Sequence, residues 1–227
     1  MAGGLRLSEP GRAWGALAAL LAAGAVAGWW LPAMALDWQP ALAFSEPWRW
    51  WTAAFVHWSE QHLFGNLAGA ALVGALGVVP RLHWRAALAW ALAWPLTHGV
   101  LLLQPPLAHY GGLSGVMHAG VAAASVELCR TPRTRWVGVC LLIGLGTKLV
   151  LDEPWGAPLV RPEGWDIAIA PLAHTNDLLF GLGLRKDLKE AMLVERTKVL
   201  ERLAAGRAPL EGTETEEELG AAQLSSS

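Results

Sequence analysis

The segment "HYGGLSGVMHAG", residues 109–120, sets one hydroxyl, Ser114, behind two glycines and ahead of a third, at the edge of an apolar run. A serine hydroxyl at neutral pH is a poor nucleophile until a neighbouring imidazole takes its proton. An attacked carbonyl oxygen also needs hydrogen-bond donors already aimed at it. The chain supplies candidates for both tasks. His62 and Asn66 stand four residues apart, so on a helix they share one face and both can donate. A helix starting near Ser114 would add unpaired backbone N–H groups. Gly111, Gly112 and Gly115 would let a substrate backbone or a neighbouring helix approach closely.

The elements that must position these groups are apolar. The chain has 227 residues, 54% of them hydrophobic and 16% charged, which fits a polytopic membrane protein and no ordinary soluble domain. Fourteen tryptophans stand against one tyrosine and four phenylalanines. Many, including Trp29, Trp30, Trp48, Trp50, Trp51, Trp84 and Trp136, sit where apolar runs begin or end, as interfacial anchors do. Cys129 and Cys140 flank an inner loop and are expected to be free thiols. No zinc-type spacing, nucleotide-binding glycine pattern or internal repeat is present in the sequence, so no metal or other cofactor and no nucleic-acid partner is expected.

Six spans are predicted, at 13–31, 57–79, 85–103, 113–129, 135–151 and 167–184. With the N-terminus inside, 14 of the 17 Lys and Arg residues fall on inner segments, which predicts both termini in the cytoplasm. "AMA" at 33–35 resembles a signal-peptidase site, but the apolar run before it is longer than a signal h-region, so a retained first span is expected. Residues 185–206 place Leu188, Met192, Val199 and Leu203 near helical spacing among charges, which predicts an amphipathic cytoplasmic helix. Residues 207–227 are acidic, then Ser-rich, and are expected to be disordered.

Polar side chains inside spans are costly and face the bundle interior. Those present are His57, His62, Asn66, His98, Ser114, His118, Lys148, His174, Asn176 and Asp177. The second, fourth and sixth spans all run inward. His62, Ser114 and His174 then fall at a similar depth below the outer surface. Serine and glycine in membrane helices also serve close packing; convergence of three such groups on one level points to a hydrolytic site. Lys148 and Asp152, four apart, are expected to form a structural ion pair.

In order along the chain, "EPWRWWTAAFVHWSEQHLFGN" (46–66), "GGLSG" (111–115) and "LAHTNDLLFG" (172–181) resemble the motifs of the rhomboid intramembrane serine proteases. The resemblance covers residues 46–184. It implies an all-α, six-transmembrane-helix bundle occupying residues 1–184, around a cavity open to the outer side. It implies a dyad of Ser114 as nucleophile and His174 as general base, with His62, Asn66 and the Ser114 backbone stabilising the oxyanion. Trp48 and Arg49 would belong to an outer first loop lying partly in the membrane. The implied setting is a bacterial inner membrane, with the site opening to the periplasm and a membrane-anchored protein as substrate.

Two positions depart from the family pattern. Rhomboids commonly carry a tyrosine one turn after the serine, and His118 stands there; a serine-then-histidine pattern is similar to the rhombosortase branch, which cleaves proteins bearing a C-terminal Gly-Gly-type membrane tail. Asp177 replaces the small residue that usually follows the base by three, and facing lipid near mid-membrane it would cost ~2.5–3.5 kcal/mol. If the fourth and sixth spans face each other through Ser114 and His174, the next layer places His118 beside Asp177; one reading is a hydrogen bond between them, the other an Asp177 that faces a water-filled cleft or the inner loops with no link to His118. The rival reading is a catalytically inactive rhomboid-like protein that binds client helices. It is disfavoured by the presence of both nucleophile and base. A transporter would want paired acidic residues at mid-membrane or repeated halves, and the sequence has neither.

Overall fold

The computed structural model describes residues 9–103 and 107–152. The described residues are helical: α1 (Arg12–Gly28), α2 (Ala33–Leu36), α3 (Arg49–Thr52), α4 (Glu60–Val78), α5 (Trp84–Gly99), α6 (Ser114–Arg130) and α7 (Arg135–Leu151). Short 3-10 turns occupy Pro40–Leu42, Ala53–Phe55 and Val100–Leu103. The one β feature among the described residues is an antiparallel bridge between Trp38 and Tyr110.

The first five predicted spans each coincide with a helix, and the sixth lies outside the described residues, as do 185–206 and 207–227. The helices are shorter than the apolar runs that contain them. α1 stops at Gly28, ahead of the Trp29-Trp30 pair and Pro32. α5 carries Pro95 internally, which removes a donor from the helix ladder, and tightens to a 3-10 turn after Gly99. α4, with 19 residues, is the described helix both long and apolar enough to cross a membrane, and α1 is a shorter apolar helix. Large apolar side chains nevertheless face outward along several helices, among them Leu20, Phe64, Leu72, Ile143 and Val150. An outer surface of that kind suits lipid rather than water.

The interior is built from α1, α4, α5 and α6. α1 packs on α4 and α5, α6 packs on α4, α5 and α7. Small residues permit the close approach: Ala86, Ala89 and Ala93 of α5 and Ala119, Ala122 and Ala123 of α6 are all fully buried. Two indoles fill the remaining space, with Trp14 and Trp90 centroids 4.6 Å apart. A buried indole N–H needs an acceptor. Trp14 Nε1 donates to the Val73 carbonyl at 2.8 Å and Trp90 Nε1 to the Val116 carbonyl at 2.7 Å, so each ring ties one helix to another. Gly77 and Gly120 are the seats of these rings; a Cβ at either would collide with the indole.

The long connection from α1 to α4 packs with the segment after α5 around a core of its own. Trp38, Ala43, Ala53, Leu101 and Leu107 form a second buried cluster, with Trp50 and Tyr110 against it. The expected pair on α7 is present, Lys148 Nζ lying 2.6 Å from Asp152 Oδ2, and Cys129 and Cys140 are free.

Gly77→Ala should destabilise the bundle by ~1–3 kcal/mol through overpacking against the Trp14 ring. Denaturant unfolding of detergent-solubilised protein measures this, and the penalty should shrink when Gly77→Ala is combined with Trp14→Leu.

Candidate active site at the start of α6

Local signals fix where the helices that carry the site begin. Ser59 is the N-cap of α4, and its Oγ accepts from the His62 amide at 3.1 Å. That bond sets His62 in the first turn and Asn66 one turn on, both buried. Ser114 is the first residue of α6, so the opening N–H groups of that helix lie beside its side chain without intrahelical acceptors.

Gly112 brings the two helix starts together. Its φ of +129° is a conformation that L side chains rarely adopt. A Cβ built there would lie 2.6 Å from His62 Nε2 and 3.6 Å from Asn66 Nδ2. The face of α4 carrying His62 and Asn66 therefore meets the chain two residues ahead of Ser114. The Trp58 amide approaches His62 Nδ1 at 3.5 Å, which favours the neutral tautomer with its proton on Nε2, the nitrogen nearest Gly112. Asn66 Nδ2 is buried with no hydrogen-bond partner among the described residues. A buried amide donor without an acceptor is costly and calls for an explanation. An oxygen developing negative charge beside Ser114 would supply the acceptor it lacks.

His57 was a further polar candidate. Its ring sits 4.8 Å from that of His62, centroid to centroid, and its Nδ1 contacts the Phe55 carbonyl at 3.2 Å. His98 is separate: it is buried in the second cluster, its Nδ1 2.8 Å from the Trp50 carbonyl, and takes no part in the site. His118 Nδ1 donates to the Ser114 carbonyl at 2.6 Å, one helical turn back, so any pairing with Asp177 would fall to Nε2. Gly115 is buried in the first turn of α6. His174, Asn176 and Asp177 lie outside the described residues.

A family model, the Rhomboid domain, matches residues 45–185. That is more than half of the chain, and it takes in the α4 pair, the serine and His174. The chain belongs to the rhomboid family. Rhomboids are integral membrane proteins and generally serine intramembrane proteases, some members being inactive. No curated protein matches the chain.

Sequence reasoning missed Asp37 and His109. Asp37 is fully buried although it lies in a connection, and its Oδ2 is 2.6 Å from His109 Nδ1. The available signal was a lone carboxylate inside the apolar stretch "PAMALDWQPALAF" (32–44).

Gly112→Ala should lower the reactivity of Ser114 by about 100-fold, because the new methyl displaces His62 and the site tolerates little misplacement. The rate of labelling by a serine-directed fluorophosphonate checks this, with far-UV circular dichroism expected to stay unchanged.

Proposed function

We propose that this rhomboid is an active intramembrane serine endopeptidase. The observation that carries the reading is the meeting of His62 Nε2 and Asn66 Nδ2 with Gly112, two residues before a serine that opens a helix. Nucleophile and oxyanion donors then share one corner of the bundle, and an oxyanion there would give the buried Asn66 amide the acceptor it lacks among the described residues.

In this reading His174 takes the Ser114 proton as Oγ attacks the scissile carbonyl carbon. The carbonyl oxygen becomes an oxyanion and accepts from His62 Nε2–H, Asn66 Nδ2–H and the Ser114 amide. Collapse of the tetrahedral intermediate breaks the C–N bond, and His174 returns its proton to the leaving amine. Water then repeats the sequence on the acyl-enzyme, with Ser114 as leaving group. Gly112 and Gly115 leave room for the substrate backbone. His118, anchored to the Ser114 carbonyl, and Asp177 pair beneath the dyad in place of the aromatic residue that rhomboids usually carry.

The architecture proposed is a six-span bundle, with residues 185–206 as a cytoplasmic amphipathic helix and a disordered tail after it. Both termini face the cytoplasm of a bacterial inner membrane, in line with the Lys and Arg distribution, and the site opens to the periplasm. The substrate is a membrane-anchored protein cut in or near its spanning segment. The histidine at position 118 favours a C-terminal Gly-Gly-type sorting tail.

Ser114→Ala and His174→Ala should each abolish cleavage of a membrane-anchored reporter while the protein still inserts and folds. His62→Ala should cost ~2.7–4 kcal/mol of transition-state stabilisation or somewhat less, since other donors remain, and Asn66→Ala should cost less again. Turnover in purified protein checks all four, and substantial proteolysis by Ser114→Ala would remove the dyad.

A further inference from the structure

The segment that delivers Ser114 to the site takes its hydrogen bonds from the α1–α4 connection. The Tyr110 amide donates to the Trp38 carbonyl at 3.0 Å and the Trp38 amide to the Tyr110 carbonyl at 2.7 Å. The Gly112 amide donates to the Ala53 carbonyl at 3.0 Å. His109 Nδ1 donates to Asp37 Oδ2 at 2.6 Å. Three of the four residues from His109 to Gly112 are thus fastened to that connection, the last of them the glycine with φ of +129° that stands two residues before the serine.

The connection is organised around one carboxylate. Asp37 is fully buried. Its Oδ1 receives Arg49 at 2.9 Å and Gln39 Nε2 at 2.8 Å, and the Arg49 guanidinium also donates to the Asp37 and Met34 carbonyls and to Glu46 Oε2. Arg49 is buried as well, at 4% exposure, so neither charge has water as an alternative partner. Oδ1 faces the connection, and Oδ2 faces the serine's own segment. A carboxylate held by a buried guanidinium on one oxygen has little freedom to move, and an imidazole bonded to the other oxygen inherits that rigidity.

We propose that His109 is a positioning residue for Ser114, clamped by Asp37 so that the serine, His62 and Asn66 keep their mutual geometry. It touches neither substrate nor reacting atoms. Its ring is 42% exposed, so truncating it opens no cavity in the core and leaves the helical bundle intact. The kinetic consequence rests on the serine-protease reading above; the clamp itself does not.

The test uses the full chain in detergent, with a serine-directed fluorophosphonate at several concentrations, for wild type, His109→Ala and His109→Asn. An asparagine amide nitrogen occupies the place of imidazole Nδ1 and keeps the donor to Asp37. His109→Ala should lower the limiting labelling rate by about 10- to 100-fold. The half-saturating probe concentration and the final stoichiometry should hold, and His109→Asn should restore most of the rate. A wild-type limiting rate in His109→Ala overturns the proposal. A reduced stoichiometry that asparagine does not restore also overturns it, since that marks lost folding rather than misplacement. Hydrogen exchange at the Tyr110 and Gly112 amides supplies an arm independent of chemistry. If wild type fails to label at Ser114, the protease reading falls and exchange decides the clamp. Protection lost in alanine and regained in asparagine sustains the clamp, and unchanged protection removes it.

Discussion

A carboxylate without access to water must find its partners within the protein, and Asp37 draws the α1–α4 connection and the segment entering α6 together for that reason. Its partners come from two separate stretches: Arg49 and Gln39 in the α1–α4 connection, and His109 on the segment entering α6. A buried ion pair is weak evidence for net stability, because desolvation of both charges offsets their attraction. What it does confer is a requirement of register. If the connection shifted by one residue against residues 107–112, Asp37 would keep Arg49 but its buried Oδ2 would lose His109, and a buried acceptor left without its partner costs ~1–3 kcal/mol. The Trp38–Tyr110 bridge and the Gly112–Ala53 bond are made in the one register that satisfies the carboxylate.

Beneath this layer the helices are held by a different means. Apolar packing cannot distinguish one helix from another where the surroundings are themselves apolar, so shape and hydrogen bonds must do it. Trp14 and Trp90 combine the two. Each fills a notch left by a glycine and donates to a carbonyl of a different helix, Trp14 from α1 to α4 and Trp90 from α5 to α6. The Trp90 bond reaches Val116, two residues beyond Ser114. The serine is consequently flanked by fixed points on both sides, His109 to Gly112 before it and Val116 after it. Preorganisation of this kind is what an oxyanion site needs, because donors that have to reorient during the reaction give up much of their advantage.

Much of this was legible in the sequence, for physical reasons that apply residue by residue. Apolar runs separated by charged or tryptophan-rich breaks marked α1, α4, α5, α6 and α7, because backbone in an apolar setting must satisfy its own hydrogen bonds. The four-residue spacing of His62 and Asn66 placed both on one helical face, and Ser59 before them has the chemistry of an N-cap. The serine flanked by glycines marked the nucleophile candidate, and the order of these motifs along the chain carried the family resemblance that the Rhomboid domain match establishes.

Other features were decided only when the chain closed on itself. That Gly112 meets His62 and Asn66 depends on its φ and on how α4 crosses the start of α6, neither of which residue types specify. The connection between α1 and α4 has no periodicity to read: α2 and α3 are single turns of four residues, held by Arg49, Asp37 and the Trp38 cluster rather than by helix propensity. Local sequence determines what a residue can donate, accept or bury, and how it repeats along one element. Which acceptor it meets from a segment 72 residues away, as His109 meets Asp37, is a property of the packed structure, because only there are both groups denied water and obliged to satisfy each other.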